Sequence, residues 1–435
     1  MLIKTNTDSK KFQAIAILGI CLLTVCAFLP TFWNGFQMEW DDHWMVMNPQ
    51  TVFYLNMESI AKIFCTPYHG QWAPFNQLLY TTLYNIFGYN PRPFHIASLL
   101  IHVVNVCLVF RVLCQILTDC TKYSPNRIFS ISFITSILFA IHPLQVEAVA
   151  WISASKILIS STFYLLGTYT FIRFLSNNSK WSLYLFTLFL YTCSYLSKEN
   201  VMTFPLWATV LTFMYGKQIR EKFFWKANLP IYALTLLMSL HFIFRVSGYN
   251  NYIQGDIFPW WKRIALCFYS LFNYLYYWIM PIKLNWMYPY PFGLRQALPL
   301  WVLLYPTLIA IVIYAMWKRI KRRIIAYALL YVLIHLTFVI HLTVLPREAV
   351  IADRYMYLPI IGINVIFTYI LTGWTWTIKH KQAAATISAT LLALLVILTF
   401  NRVSDWHDSQ TLKSEKSYDT NNQSSQPLTQ AVIIN

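Results

Sequence analysis

Long apolar runs alternate with short polar loops along almost the whole chain, at residues 12–32, 94–116, 127–141, 157–175, 181–197, 200–215, 227–244, 263–281, 299–317, 324–345, 355–373 and 384–400. Each run is continuous, and most approach the roughly 20 residues that a helix needs to cross hydrocarbon. Strands of a membrane barrel would instead alternate apolar and polar positions in shorter segments. The pattern predicts an all-α polytopic membrane protein. The first run follows Lys10 and Lys11, lacks a small-residue cleavage site and exceeds the length of a signal-peptide core, so it reads as a retained span with a cytoplasmic N-terminus.

Orientation follows from lysine and arginine in short loops, which favour the cytoplasmic side. The stretch from Lys318 to Arg323 belongs there, as do Lys379, His380 and Lys381, and Lys217, Arg220, Lys222 and Lys226. Twelve crossings would leave the Lys318 to Arg323 cluster outside, so one run fails to span. The choice is 263–281, which is rich in Tyr, Trp and Asn and is preceded by Pro259, Trp260, Trp261, Lys262 and Arg263. A bundle of about 11 transmembrane helices results. Of the 16 acidic residues, only Asp8, Asp119 and Glu221 then fall inside.

The largest extracytoplasmic stretch is 33–93. It contains amphipathic pieces near 56–64 and 74–87, which are expected to lie along the interface as juxtamembrane helices. From 401 the composition turns polar. The expected organisation is one transmembrane domain over 1–400 and a short polar extracytoplasmic tail over 401–435, helical at its start and disordered after it.

Composition narrows the function. Of the 435 residues, 57% are hydrophobic and only 11% are charged. The formal charge of +17 sits in loops between apolar runs and not on one face, which argues against a nucleic-acid partner. The eight cysteines imply no disulfide framework, since Cys65 alone lies well away from the apolar runs. No glycine-rich phosphate loop, HExxH, CxxC or serine-elbow motif occurs.

Four polar clusters interrupt the apolar pattern at the expected outer side. Asp41 and Asp42 stand roughly ten residues past the first run, where carboxylates near hydrocarbon are costly and tend to mark a working site. The plainer reading is a helix cap or a partner for Arg92. His142 and Glu147 fall in the second outer loop, although His142 followed by Pro143 also reads as a helix end. Lys198 and Glu199 break an apolar stretch of about 35 residues at a tight hairpin, as a mutual ion pair or as a cation near a phosphate. Asp353 and Arg354 follow Arg347 and Glu348 between two runs; they form a structural network, or Arg354 grips phosphate bidentately.

The residues Phe36-Gln37-Met38-Glu39-Trp40-Asp41-Asp42, Phe139-Ala140-Ile141-His142-Pro143 continuing to Glu147-Ala148-Val149-Ala150-Trp151-Ile152-Ser153, Ser197-Lys198-Glu199, and Ala352-Asp353-Arg354-Tyr355-Met356-Tyr357-Leu358-Pro359 occur in this order. Together they resemble the transmembrane and tetratricopeptide-repeat O-mannosyltransferases and their bacterial relatives, within the GT-C superfamily of glycosyltransferases. The resemblance implies a sugar carried on a polyprenyl phosphate, taken to be mannose, and transferred at the extracytoplasmic face to a protein hydroxyl or, failing that, to a glycolipid or cell-surface polysaccharide. It implies Asp42 as the preferred base with Asp41 as the alternative, Arg354 and Lys198 at the donor phosphate, and His142, Glu147, Glu199 and Asp353 in support. Members differ in metal use, so a divalent cation at the acidic pair stays open, and no other cofactor is expected.

Two departures are visible. Where the family shows Gly-Arg-x-Asp, this chain reads Ala154-Ser155-Lys156-Ile157. Trp406-His407-Asp408 and Thr411-Leu412 resemble the lead-in to a repeat array, yet Asn435 arrives before one repeat of about 34 residues is complete. The lack of an array and of a retention signal tilts the expectation towards a bacterial inner membrane, with the endoplasmic reticulum membrane as the eukaryotic alternative. A transporter, or a non-catalytic scaffold derived from the enzyme, is the rival class.

Overall fold

The computed structural model describes residues 6–47, 54–68, 71–176, 180–216, 221–246, 258–320, 322–342, 349–374 and 380–414. Lys217, Arg220, Lys321, Arg347, Glu348 and Lys379, and the tail expected to be disordered from 415 onwards, lie outside them. Each of the twelve apolar runs forms a helix, because a buried or lipid-facing backbone must satisfy its own hydrogen bonds. The helices are α1 (Asn6–Ala27), α2 (Asp42–Met45), α3 (Met57–Cys65), α4 (Pro74–Phe87), α5 (Pro91–Cys120), α6 (Pro125–Ile141), α7 (Val146–Ala150), α8 (Ser155–Ser176), α9 (Trp181–Tyr195) and α10 (Phe204–Met214). They continue as α11 (Glu221–His241), α12 (Trp260–Ile279), α13 (Leu304–Ile320), α14 (Arg323–Leu336), α15 (Pro359–Gly373), α16 (Lys381–Asp405) and α17 (Ser409–Ser414). Among the described residues no strand occurs.

Proline opens α4, α5, α6 and α15, where its missing N–H costs nothing and its fixed φ suits the first turn. The two pieces expected along the interface are α3 and α4. Short loops make α5 and α6, and α8 and α9, antiparallel neighbours, and α14 packs against α15 across a longer connection. Gly362 lets α14 and α15 meet at backbone distance: a Cβ there would stand 2.6 Å from both the Ala328 carbonyl oxygen and Val332 Cγ2.

The full count of about 11 crossings is not what the helix lengths give. Five helical stretches among the described residues are long and apolar enough to cross a membrane: Pro91–Cys120, Ile152–Ser176, Phe223–Phe244, Leu300–Ile320 and Gln382–Asp405. A sixth arises if Pro125–Ile141 and Pro143–Ala150, bent by 59°, count as one. Lys11–Ala27, Arg323–Leu336 and Pro359–Gly373 are apolar but shorter. The shortfall has a physical cause, because several runs end in site loops: α6 stops before His142 and Pro143, and the run beginning at 200 opens as a 3-10 turn, Glu199–Thr203, before α10. The outward faces are apolar; α16 exposes Ile387, Leu391, Leu394 and Ile397.

α12 lies differently from its neighbours. Arg263 in its first turn donates to the carbonyls of His341 and Leu342, and the carbonyl of Trp278 in its last turn is bonded to His142 Nε2 at 3.0 Å. All these partners lie beyond the same ends of α6 and α14, the arrangement expected of a helix that runs along the bundle end.

The alternating chain direction collects two sets of loops. Residues 28–47, 142–154, 196–203, 280–300, 349–358 and 406–414 meet at one end; the loops at the other carry Lys122, Lys180, Lys318, Arg319, Arg322 and Arg323. The expected boundary at residue 400 falls inside α16, which continues to Asp405. The start of the polar tail packs back on the first loop. Gly35 N donates to His407 O at 2.7 Å, Asn34 to Val403 O at 3.0 Å and Gln37 to Trp406 O at 2.8 Å, and Trp406 and Leu412 are buried. Among the described residues the cysteines are unbridged thiols.

Candidate active site

The two adjacent aspartates have different environments. Asp42 is fully buried: Oδ2 accepts from Gln37 N at 2.8 Å, and Oδ1 accepts from Ser153 N at 3.0 Å and from the Ser153 hydroxyl. Burial pushes its carboxyl up to about 6 against the lowering pull of those donors. Asp41, one residue earlier, is partly exposed, and its carboxylate makes no capping bond to α2 and has no hydrogen-bond or ion-pair partner among the described residues. Neither carboxylate pairs with Arg92. Asp42 therefore fastens the first loop to the Trp151–Ser155 turn, and Asp41 is left facing outwards.

Glu147 and Arg354 form the second centre. Glu147 Oε2 accepts from Arg354 N at 2.7 Å and Oε1 from the Arg354 guanidinium, a two-point grip on a carboxylate that is 1% exposed. Burial opposes the Arg354 charge, but the Glu147 carboxylate more than offsets it and holds the guanidinium above its ordinary pKa. The guanidinium lies over the Trp151 ring at 5.3 Å and the Tyr355 ring at 4.9 Å. Trp151 in turn packs against Trp40 and Trp406, and Trp40 against Trp286, with ring centroids 5.4, 6.0 and 4.1 Å apart. Asp353 turns the other way, accepting from the Tyr288 hydroxyl at 2.7 Å with Arg402 Nη2 3.9 Å away. Its burial and the nearby Glu147 charge raise it to about 7.

Lys198 and Glu199 stand 3.9 Å apart as a loose pair at the α9 hairpin. Lys156, in the first turn of α8, donates to Gln71 Oε1 at 2.6 Å. Its ammonium also stands 3.9 Å from Met45 Sδ of α2, the helix that begins at the acidic pair. On the far side of Arg354 a cleft of about 370 Å³ continues past Ser160, Asn200, His335 and Tyr357.

His142 has a structural role. Its Nδ1 accepts from Leu144 N at 3.2 Å and its Nε2 meets the Trp278 carbonyl, so both ring nitrogens are occupied. Of the residues singled out from sequence, Glu147 and Arg354 come together, Lys198 and Glu199 pair with each other, Asp41 stands apart from both pairs, and Asp42, Asp353 and His142 are each bonded into the surrounding frame. Sequence reasoning assigned no role to Ser153, Gln71, Tyr288 or Arg402. Ser153 already sits at the end of the second motif; the other three carry no local signal. Among the described residues no three His, Cys, Asp or Glu side chains cluster in a way that could hold a metal ion.

Chemically, this end of the bundle offers a free carboxylate at Asp41, an aromatic floor of Trp40, Trp151 and Trp286, and the cations Arg354, Lys156 and Lys198. Such a set can accept a proton from a hydroxyl and steady a leaving anion.

No family model matches the chain. It is 26% identical over 363 residues to the protein O-mannosyl-transferase F38B6.6 of Caenorhabditis elegans, an alignment that takes in 80% of this chain and 48% of the worm protein. It is 30% identical over 135 residues to protein O-mannosyl-transferase Tmtc1 of Drosophila melanogaster and 29% identical over 137 residues to human protein O-mannosyl-transferase TMTC3; each of these covers 31% of this chain. The chain thus spans about half the length of the worm relative, and 15% and 14% of the other two. The likeness drawn from the four motifs is matched by these relatives: the homologues of this polytopic membrane chain are protein O-mannosyl-transferases.

Proposed function

We propose that the chain is a membrane glycosyltransferase that moves mannose from a polyprenyl-phosphate donor to a protein hydroxyl at the extracytoplasmic face. The observation that carries the reading is the division of labour in the acidic pair: Asp42 is bonded into the Ser153 turn, and the Asp41 carboxylate stays free one residue after Trp40, which packs on the Trp151 ring that the Arg354 guanidinium covers. Asp41 takes the proton of the acceptor hydroxyl while its oxygen attacks the sugar C1. The bond from C1 to the phosphate oxygen breaks, its electron pair leaves with the polyprenyl phosphate, and the configuration at C1 inverts. Arg354, held by Glu147, faces that phosphate with Lys198 near it. The basic residues at the opposite end of the bundle support a cytoplasmic placement for that end and about 11 crossings in all, the shorter helices included. The animal relatives support the endoplasmic reticulum membrane over the bacterial inner membrane.

The test is steady-state kinetics of purified chain with polyprenyl-phosphate mannose and a hydroxyl-bearing acceptor peptide. Asp41→Asn is expected to lower kcat by about 10²- to 10⁴-fold with little change in donor KM, and Arg354→Ala to raise donor KM. Unchanged kinetics in both variants would place the transfer site away from Asp41 and Arg354, and no transfer by the folded wild type would leave a transporter or scaffold as the reading.

A further inference from the structure

We infer that Lys156 is an anion-holding residue of this site and grips the phosphate of the lipid-linked donor. The inference rests on the reading given under Proposed function and adds a binding group to it. Lys156 is 9% exposed, and its ammonium donates to Gln71 Oε1 at 2.6 Å and stands 3.9 Å from Met45 Sδ. Both partners are neutral. Among the described residues no carboxylate lies within ion-pair reach of it, whereas Lys198, Arg354, Arg402 and Lys413 each have one. An ammonium carries three donors, and a buried cation without a counter-charge is costly, so the third donor and the unbalanced charge call for an anion.

The fold places that anion. Met45 belongs to α2, which starts at the acidic pair, and its N donates to Asp41 O at 2.8 Å. Ser153 and Ser155, just before Lys156, bond Asp42 and Asn76, and the Tyr80 hydroxyl sits 3.0 Å from Ser155. The free carboxylate and the unpaired ammonium are thereby fixed to the same short turn. A sugar phosphodiester brings one negative charge, and the phosphate gains a second when the bond to the sugar breaks. Arg354 is already balanced by Glu147, so Lys156 is the cation whose attraction grows most as the leaving group forms.

The experiment uses the full chain in lipid nanodiscs and measures binding of polyprenyl phosphate, of polyprenol and of phosphatidic acid, for wild type, Lys156→Met and Lys156→Arg. Wild type is expected to prefer polyprenyl phosphate over polyprenol. Lys156→Met loses that preference by on the order of tenfold while polyprenol binding, which reports a folded protein, is unchanged, and Lys156→Arg recovers it. In transfer assays the same Met variant raises donor KM more than the Arg variant does. A Met variant that keeps the headgroup preference overturns the inference and leaves the proposed function standing. Phosphatidic acid bound as tightly as polyprenyl phosphate overturns it in favour of a general anionic-lipid site. A wild type blind to the phosphate overturns both.

Discussion

At the scale of single residues, neighbouring aspartates of equal chemistry are set apart by their partners. Asp42 has both oxygens filled by the Gln37 and Ser153 donors, whereas Asp41 has none. Asp42→Asn would turn an amide N–H towards a backbone N–H, leaving a buried donor unmet at a cost of about 1–3 kcal/mol; a lower melting temperature in detergent is the expected result. The raised Asp42 carboxyl gives a signed pH dependence as well. Its folded value of about 6 lies above the ordinary 3.8, so the folded protein holds the extra proton between those values. Its contribution to stability therefore rises as pH falls from about 6 to about 4, and the wild-type melting temperature should gain on Asp42→Asn over that window. Glu147→Gln leaves the Arg354 guanidinium without its counter-charge and should cost about 3–5 kcal/mol by the same melting measurement. The sequence singled out the acidic pair, because carboxylates near an apolar run stand out. It could not rank the two, since the deciding partner, Ser153, lies 111 residues away.

At the scale of elements, hydrophobic runs translate into helices almost one for one, and the ends of those helices do not. The run at 324–345 gives α14 only to Leu336, and the run at 200–215 opens as a 3-10 turn, because both meet loops of the site. The segment after 400 read as a short polar tail with a helical start, and composition alone did not show where that start packs; in the fold Trp406 and Leu412 are buried against the first loop and the core. The α14 and α15 contact at Gly362 was invisible for a related reason: a glycine inside an apolar run has the same signature whether or not another helix touches it. Gly362→Ala must displace the Ala328 backbone or Val332, so the expected outcome is a loss of about 1–3 kcal/mol, read as a lower unfolding temperature. A substitution at Gly19, which has open space around it, should leave the unfolding temperature unchanged.

At the scale of the whole molecule, charge and chemistry segregate to opposite ends of one helical bundle. Cysteine placed at exposed Glu39 should react with a membrane-impermeant maleimide from the extracytoplasmic side, and cysteine placed at exposed Arg319 only from the cytoplasmic side; labelling of both from one side would contradict the topology. The bundle class was legible from the repeated apolar runs, but the convergence of six distant segments at the end of the bundle that carries Asp41 and Arg354 depends on packing that no single run encodes. The central claim is that this convergence is a glycosyl-transfer site worked by the free carboxylate. The most direct test is transfer of radiolabelled mannose from polyprenyl-phosphate mannose into protein and lipid fractions of membranes that carry wild type or Asp41→Asn, with both chains verified as folded. Label in the protein fraction that falls by at least about 100-fold in Asp41→Asn is the predicted result; equal label from both chains, or none from wild type, would contradict it.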